Sequence, residues 1–285
     1  VTAAAIAAAF AAACRDELDA PKPGNVHRFA ADGRKPVEAF VRSAEAAAPA
    51  LATCGAAVGA RILAAVEATA AAVGTNTNLG IILLCAPLAA AAEMLPPDLR
   101  AGVIGVLDRL DLEDAKLGFR AIALAAPGGL GDAERHDVRA PATVTLRAAM
   151  ADAARRDRIA AQYASGFEDV FATGEPTLEA ARTRFAEPRW ATLAVYLEFL
   201  AKFPDTHIER EHGAAAAAQI QATAAGFRDR LRAAAQPADL LGDLMRWDQL
   251  LKSRGHNPGT SADLAVATLF VGRLRNILPS RRNSG

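Results

Sequence analysis

The stretch LAVATLFVGRLRNIL, residues 264–278, decides the fold class. Its apolar side chains Leu264, Ala267, Val271, Leu274 and Leu278 recur at steps of 3, 4, 3 and 4. That is the spacing of one helix face, not the alternation of a strand. Upstream, Leu240, Leu244, Trp247 and Leu251 repeat the pattern, and Ile6, Phe10 and Cys14 do so near the first residue. Between residues 190 and 203 two stripes share one segment, Trp190/Leu193/Leu197/Leu200 and Tyr196/Phe199/Phe203. A helix apolar on two faces belongs inside a bundle. The 72 alanines push the same way, because alanine has the best helix propensity and its small side chain lets helices approach closely. Only residues 103–107 and 143–146 have β-like content, and both are short. The expectation is an all-α fold: a compact multi-helix bundle, one domain over residues 1–285, with polar loops at helix N-termini and a frayed tail at 280–285.

The chain has 285 residues with 32 basic and 32 acidic side chains. Zero net charge removes the broad attraction that non-specific binding to nucleic acid or an anionic membrane requires. The most apolar run, residues 79–92, contains Pro87. At about 1.5 Å per residue it is too short for a hydrocarbon core of about 30 Å, so it reads as a buried helix. The opening VTAAAIAAAFAAAC has no Lys or Arg before its apolar stretch, unlike a signal segment. Cys14, Cys54 and Cys85 stand singly, without C-x-x-C spacing, and are expected to be free buried thiols in a reducing cytoplasm. The chain contains no G-x-x-x-x-G-K-[ST], strand-borne G-x-G-x-x-G, H-E-x-x-H or G-x-S-x-G motif. The common nucleotide and hydrolase folds are thereby disfavoured.

With only five His, five Lys and six Asn, the places where these residues cluster are informative. All five His, four of the six Asn and Lys22 fall in five loops bounded by Gly or Pro. The first, Lys22-Pro23-Gly24-Asn25-Val26-His27-Arg28, is a tight loop whose cations and backbone N–H groups could cradle phosphate. The second, Gly74-Thr75-Asn76-Thr77-Asn78-Leu79-Gly80, precedes the buried apolar run. One cap suffices to start a helix, so four polar side chains at its positive end suit an anion or sugar, with Glu67 and Thr69 close by in sequence. The third, Gly128-Gly129-Leu130-Gly131-Asp132 with Glu134, His136 and Asp137, permits close backbone approach and offers carboxylates to magnesium.

The fourth loop is Asp205-Thr206-His207-Ile208-Glu209-Arg210-Glu211-His212. Its two histidines at i and i+5 are wrongly spaced for a zinc pair on one helix face. Asp205, Thr206, His207 and Arg210 remain as a compact set for metal, phosphate and a transferable proton, and Asp205 is also a natural helix cap. In the fifth, Gly255-His256-Asn257-Pro258-Gly259-Thr260-Ser261-Ala262-Asp263, the Thr260/Asp263 spacing is that of a capping box. The rest of that loop is more than a cap needs and again suggests phosphate.

Together KPGNVHR, GTNTNLGIILLCAPLA, DTHIEREHG and NPGTSADLAVATLF, in this order and spacing, resemble the triphosphoribosyl-dephospho-CoA synthase family over residues 22–278. The segments GFRAIALAAPGGLG and RRDRIAAQYASGF look like the branch found in archaea and methylotrophic bacteria. The resemblance implies an all-α fold and a reaction in which ATP gives its 5′-triphosphoribosyl group to the 2′-hydroxyl of 3′-dephospho-CoA, releasing adenine. The branch's genomic company points to one-carbon metabolism, so a related transferase with a pterin- or furan-type acceptor is the alternative. A non-catalytic helical nucleotide-binding protein is a third reading. The chain departs from the family pattern in two places. Residues 31–36, ADGRKP, are basic where many members carry a His- and Asp-containing stretch ending D-M, and GGLG replaces a Gly-Ala-Arg-Gly-Glu type string.

Breaking the N-glycosidic bond of ATP while keeping its triphosphate makes three demands: charge neutralisation, protonation of departing adenine and deprotonation of the attacking hydroxyl. Lys22, Arg28 and Arg210 with Mg²⁺ suit the first, the metal being held by Asp137, Asp205 or Asp263. Asn76, Thr77 and Asn78 suit ribose or base. Gly24, Asn25, Asn257, Gly259, Thr260 and Ser261 complete the expected nucleotide contacts, and Glu67, His27 and His207 are the candidates for proton transfer. The expected partners are ATP and dephospho-CoA or another cofactor precursor, with neither nucleic acid nor membrane, and a homodimer by base rate.

Overall fold

The computed structural model describes residues 1–29, 37–126 and 136–279, and among these it has fourteen α-helices and no β-strand. In chain order they are α1 (Ala3–Leu18), α2 (Val37–Leu51), α3 (Val58–Val73), α4 (Leu79–Glu93), α5 (Leu99–Asp108), α6 (Leu112–Ala125) and α7 (Leu146–Ala153). They continue as α8 (Arg158–Ser165), α9 (Glu175–Arg184), α10 (Pro188–Lys202), α11 (Thr206–His212), α12 (Ala214–Ala233), α13 (Leu241–Ser253) and α14 (Gly259–Ile277). Residues 103–107 lie inside α5, and residues 143–146 run into the N-cap and first residue of α7. Packing of Val103, Val106 and Leu107 into the core overrides their local β preference. The expected tail at 280–285, the basic stretch 31–36 and the GGLG string with Glu134 lie outside the described residues.

Helix α4 is the central rod. Twelve of its fifteen residues are buried, so its neighbours cover it on all sides, as an unbroken apolar run demands. Pro87 lies in its interior and has no N–H for the carbonyl of Leu83, four residues back. The buried Tyr163 hydroxyl of α8 donates to that carbonyl at 2.7 Å, so no buried acceptor is left bare. Helix α10 buries both of its stripes, with Trp190, Leu193, Leu197 and Leu200 on one and Tyr196 and Phe199 on the other. It ends at Lys202, leaving Phe203 as an extended cap under the Arg158 guanidinium, 3.5 Å from the ring centroid. Helix α14 buries Leu264, Ala267, Val271 and Leu274 and packs on α1, α4 and α10. An Arg273–Asp16 ion pair ties it to α1.

Two expectations are corrected. The Thr260/Asp263 capping box does not form: α14 starts two residues earlier than that box requires, at Gly259 after Pro258, so Thr260 is already inside the helix and cannot cap it. Its hydroxyl instead pairs with that of Thr206 at 3.1 Å. Cys14 and Cys85 are buried free thiols, but Cys54 is exposed, because it falls in the turn between α2 and α3 and not on a packed face. Among the described residues no helix is long and apolar enough to cross a membrane.

Candidate active site

The loop after α1 folds onto the loop before α14. Gly24 adopts φ +83°, and a Cβ there would lie 2.8 Å from Pro258 Cδ and 2.9 Å from Leu251 Cδ1, so only glycine fits. Its N–H donates to Asp248 Oδ1 at 2.8 Å, while Asn25 Nδ2 donates to Asn257 Oδ1 at 2.8 Å. The Tyr196 hydroxyl donates to Pro23 O at 2.6 Å. Lys22 is fully buried and spends its three donors inside the protein, on the Glu17 carboxylate, on Asn25 Oδ1 at 2.9 Å and on Val26 O at 2.8 Å. Burial pushes the Lys22 ammonium below its ordinary pKa and the Glu17 carboxyl above its own.

His27 is equally buried. The Phe29 N–H donates to its Nδ1 at 3.1 Å, which puts the ring proton on Nε2, 3.2 Å from Asp248 Oδ1. Lys252 Nζ lies 3.0 Å from the same oxygen. Burial drives the imidazole pKa down, which favours the neutral ring beside Asp248. The carboxyl of Asp248, although burial opposes its charge, is held below the usual range by His27, Gly24 and Lys252.

Beside this assembly three more helix starts are stitched together. Asp205 caps α11 through Oδ1, accepting from the N–H groups of His207 and Ile208 at 3.0 and 3.2 Å. Its Oδ2 accepts from both the N–H and the hydroxyl of Ser261, each at 2.8 Å, in the first turn of α14. Asp157 caps α8 and takes Arg210 Nη1 at 2.8 Å, while the Arg158 N–H donates to the Thr206 hydroxyl at 3.3 Å. The fourth start is that of α4, where the Leu79 N–H donates to Asn76 Oδ1 at 3.1 Å. At Gly80, in its first turn, the Asp263 carboxylate and Ile159 Cδ1 occupy the space a side chain would take.

Asp263 therefore lies among the N-termini of α4, α8 and α14. Its carboxyl makes no hydrogen bond or ion pair among the described residues, and it is partly exposed. Burial, then the like charges of Glu17, Asp205 and Asp157, push its pKa well above the carboxylate range, against the pull of Arg210. His207, partly exposed, lies against Gly259, with Cδ2 3.4 Å from where a Cβ would stand. Burial lowers its pKa, which keeps the imidazole neutral near pH 7.

The structure thus brings together Lys22, Gly24, Asn25, His27, Asp205, His207, Arg210, Asn257, Gly259, Thr260, Ser261 and Asp263, with Asn76 and Asn78 at the α4 end. Other candidates stand apart. Glu67 pairs with Arg120 at 3.0 Å on an exposed surface, and Arg28 pairs with Asp19 at the loop's outer edge. Thr77 donates its hydroxyl to Ser43 Oγ at 2.6 Å. Asp137 binds Arg139 within its own loop, and the neighbouring His136 pairs with Asp152 at 3.0 Å. Glu17, Asp157 and Asp248 escape sequence reasoning. Asp157 sits in the charge run RRDR, and only its position before an apolar-periodic segment signals a cap.

Helix N-termini and a guanidinium gathered in one place by an all-helical fold make a site suited to an anion such as phosphate. Residues 3–282 match the family model of the CitG proteins, ATP:dephospho-CoA triphosphoribosyl transferase. The chain belongs to that family, and its reaction is ATP-dependent triphosphoribosyl transfer to dephospho-CoA. Its fold is similar to the crystal structure of an Archaeoglobus fulgidus protein assigned as a triphosphoribosyl-dephospho-CoA synthase. That match has TM-score 0.63 and 24% identity, and covers 80% of this chain and 95% of the other. No match is found among curated protein sequences.

Proposed function

We propose that transfer takes place around Asp263, with the triphosphate of ATP against the first turns of α4, α8 and α14. The observation that carries this reading is the unpartnered Asp263 carboxyl where those helix starts meet. Each N-terminus contributes about half a positive charge through its aligned peptide dipoles. Arg210, bound to Asp157 through one nitrogen, keeps further donors for phosphate. The loop built on Lys22 and Gly24 acts by holding Asn25 against Asn257.

Among the described residues no three His, Cys, Asp or Glu side chains form a metal cage. Mg²⁺ needs no such cage, since it takes one or two carboxylates and completes its shell with phosphate oxygens and water. Asp263 fits that role, whereas both oxygens of Asp205 are already occupied by four donor contacts. Bound there, Mg²⁺ would neutralise triphosphate charge.

His207 takes the proton of the attacking 2′-hydroxyl. It is titratable, neutral and partly exposed at this site, whereas His27 is buried and Glu67 faces away. The C1′–N9 bond breaks as the C1′–O bond forms, and departing adenine needs one proton for the one the hydroxyl loses, so the reaction is proton-neutral. Free unpaired cysteines suit a cytoplasmic enzyme. The test is adenine release from ATP with dephospho-CoA present. Asp263→Asn is expected to lose about 100-fold or more in kcat while staying folded, and wild-type turnover in that variant would refute the site.

A further inference from the structure

A cavity of about 520 Å³ opens between the C-terminal ends of α3 and α6 and the loop leading into α4. Val66, Ala70 and Leu124 give it apolar walls, and among the described residues no charged side chain lines it. Two lining residues carry polar atoms without a partner: Thr69 Oγ1, on a residue 2% exposed, and Asn78 Nδ2, on a residue 5% exposed. Buried donors and acceptors are nearly always paired, so two orphans on one cavity indicate something that completes them.

The electrostatics restrict what that is. Helices α3 and α6 both end here in left-handed caps, Gly74 at φ 69° and Ala126 at φ 40°. Their C-terminal carbonyls bring partial negative charge, which repels phosphate and attracts N–H donors. An uncharged flat group with donors and acceptors on its edge meets every condition, and a carboxamide pairs in two-pronged fashion with the amino and ring-nitrogen edge of adenine. The volume is within the range of small-molecule sites.

We propose that this cavity is an adenine pocket, read by Asn78 and Thr69. The proposal rests on the nucleotide-transfer reading above, and it places the base on the opposite flank of the first turn of α4 from Asp263. Both substrates of the reaction contain adenine, so the ring could come from ATP or from dephospho-CoA.

The test is calorimetric binding of ATP, ITP, dephospho-CoA and 4′-phosphopantetheine to the full chain and to Asn78→Ala. A loss of about tenfold for ATP, with ITP little changed, assigns the pocket to the base of ATP. The same loss for dephospho-CoA but not for 4′-phosphopantetheine assigns it to the acceptor's adenine. Unchanged affinity for both substrates, or an equal loss for 4′-phosphopantetheine, overturns the proposal. Should Asn78→Ala fail to fold, Thr69→Val makes the same comparison, since it removes a hydroxyl that bonds to nothing in the protein. Failure of the parent reading is separable: the wild-type chain would then release no adenine from ATP. Failure of the pocket alone leaves turnover and affinity intact in both variants.

Discussion

Asp205 and Ser261 are joined twice, the carboxylate Oδ2 accepting the N–H and the hydroxyl of the serine at 2.8 Å each. Because Oδ1 caps α11 at the same time, one buried side chain holds two helix starts in register. Charge-assisted hydrogen bonds of this kind contribute about 1.5–3 kcal/mol each. Asp205→Ala is therefore expected to lower unfolding free energy by at least about 3 kcal/mol in urea melts, with Asp205→Asn losing less. An Ala variant as stable as wild type would show that the two helix starts need no tie.

The His27 pair makes stability depend on pH. Burial lowers the folded imidazole pKa, so the unfolded chain takes up a proton first, near the ordinary value of about 6.5. The His27 contribution is thus present above about pH 6.5 and is lost as pH falls through it toward the folded value. In His27→Gln this acid-side loss disappears. The stability gap between wild type and variant, measured by urea melts, should narrow from pH 7.5 to pH 5. A gap that widens on acidification would mean that a charged His27 is favoured in the fold.

Tyr163 and Pro87 make a pair legible only in three dimensions. Tyr163→Phe leaves the Leu83 carbonyl buried without a donor, at a cost of about 1–3 kcal/mol. Adding Pro87→Ala restores the intrahelical N–H and should recover most of that loss. Thermal melts of the two variants and the double variant measure the coupling, and simple additivity would argue against it.

Periodicity reveals α1, α10, α13 and α14 because each buries a continuous stripe, and burial is what imposes the spacing. The site is less legible. Lys22 in a Pro-Gly loop reads as a phosphate ligand, yet its ammonium is turned inward to Glu17, a residue just before the loop with nothing local to mark it. Glu67 is one position from Val66, which lines the cavity, but one residue is about 100° around a helix, and Glu67 faces Arg120 instead. Contacts such as Asn25 with Asn257 and Gly24 with Asp248 join distant segments, and no local pattern encodes them.

The buried Lys22–Glu17 pair can be separated from catalysis. Removing one partner strands a buried charge, so Lys22→Met should cost about 3–5 kcal/mol. Combining it with Glu17→Gln removes the stranded charge and should recover much of the stability. If Lys22 serves only to hold its loop, the double variant also regains adenine release. A folded double variant without turnover would show that the ammonium itself reaches the substrate.

Gly80 gives the most direct probe of the site. A methyl there would meet the Asp263 carboxylate and lie 2.7 Å from Ile159 Cδ1, so Gly80→Ala must push the first turn of α4 away from α8 and α14. Overpacking of this kind costs about 1–3 kcal/mol, which the core can bear. The catalytic cost should be larger, because displacing positioned groups by about an ångström can lose about 100-fold in rate. Gly80→Ala is expected to remain folded by circular dichroism and to lose about 100-fold in kcat. Gly55→Ala provides the contrast: it has open space around its Cβ position, so its strain comes only from φ +70° in the turn between α2 and α3. It should lose stability and little else. Equal turnover in Gly80→Ala and wild type would mean that the Asp263 carboxyl does not act where α4 begins.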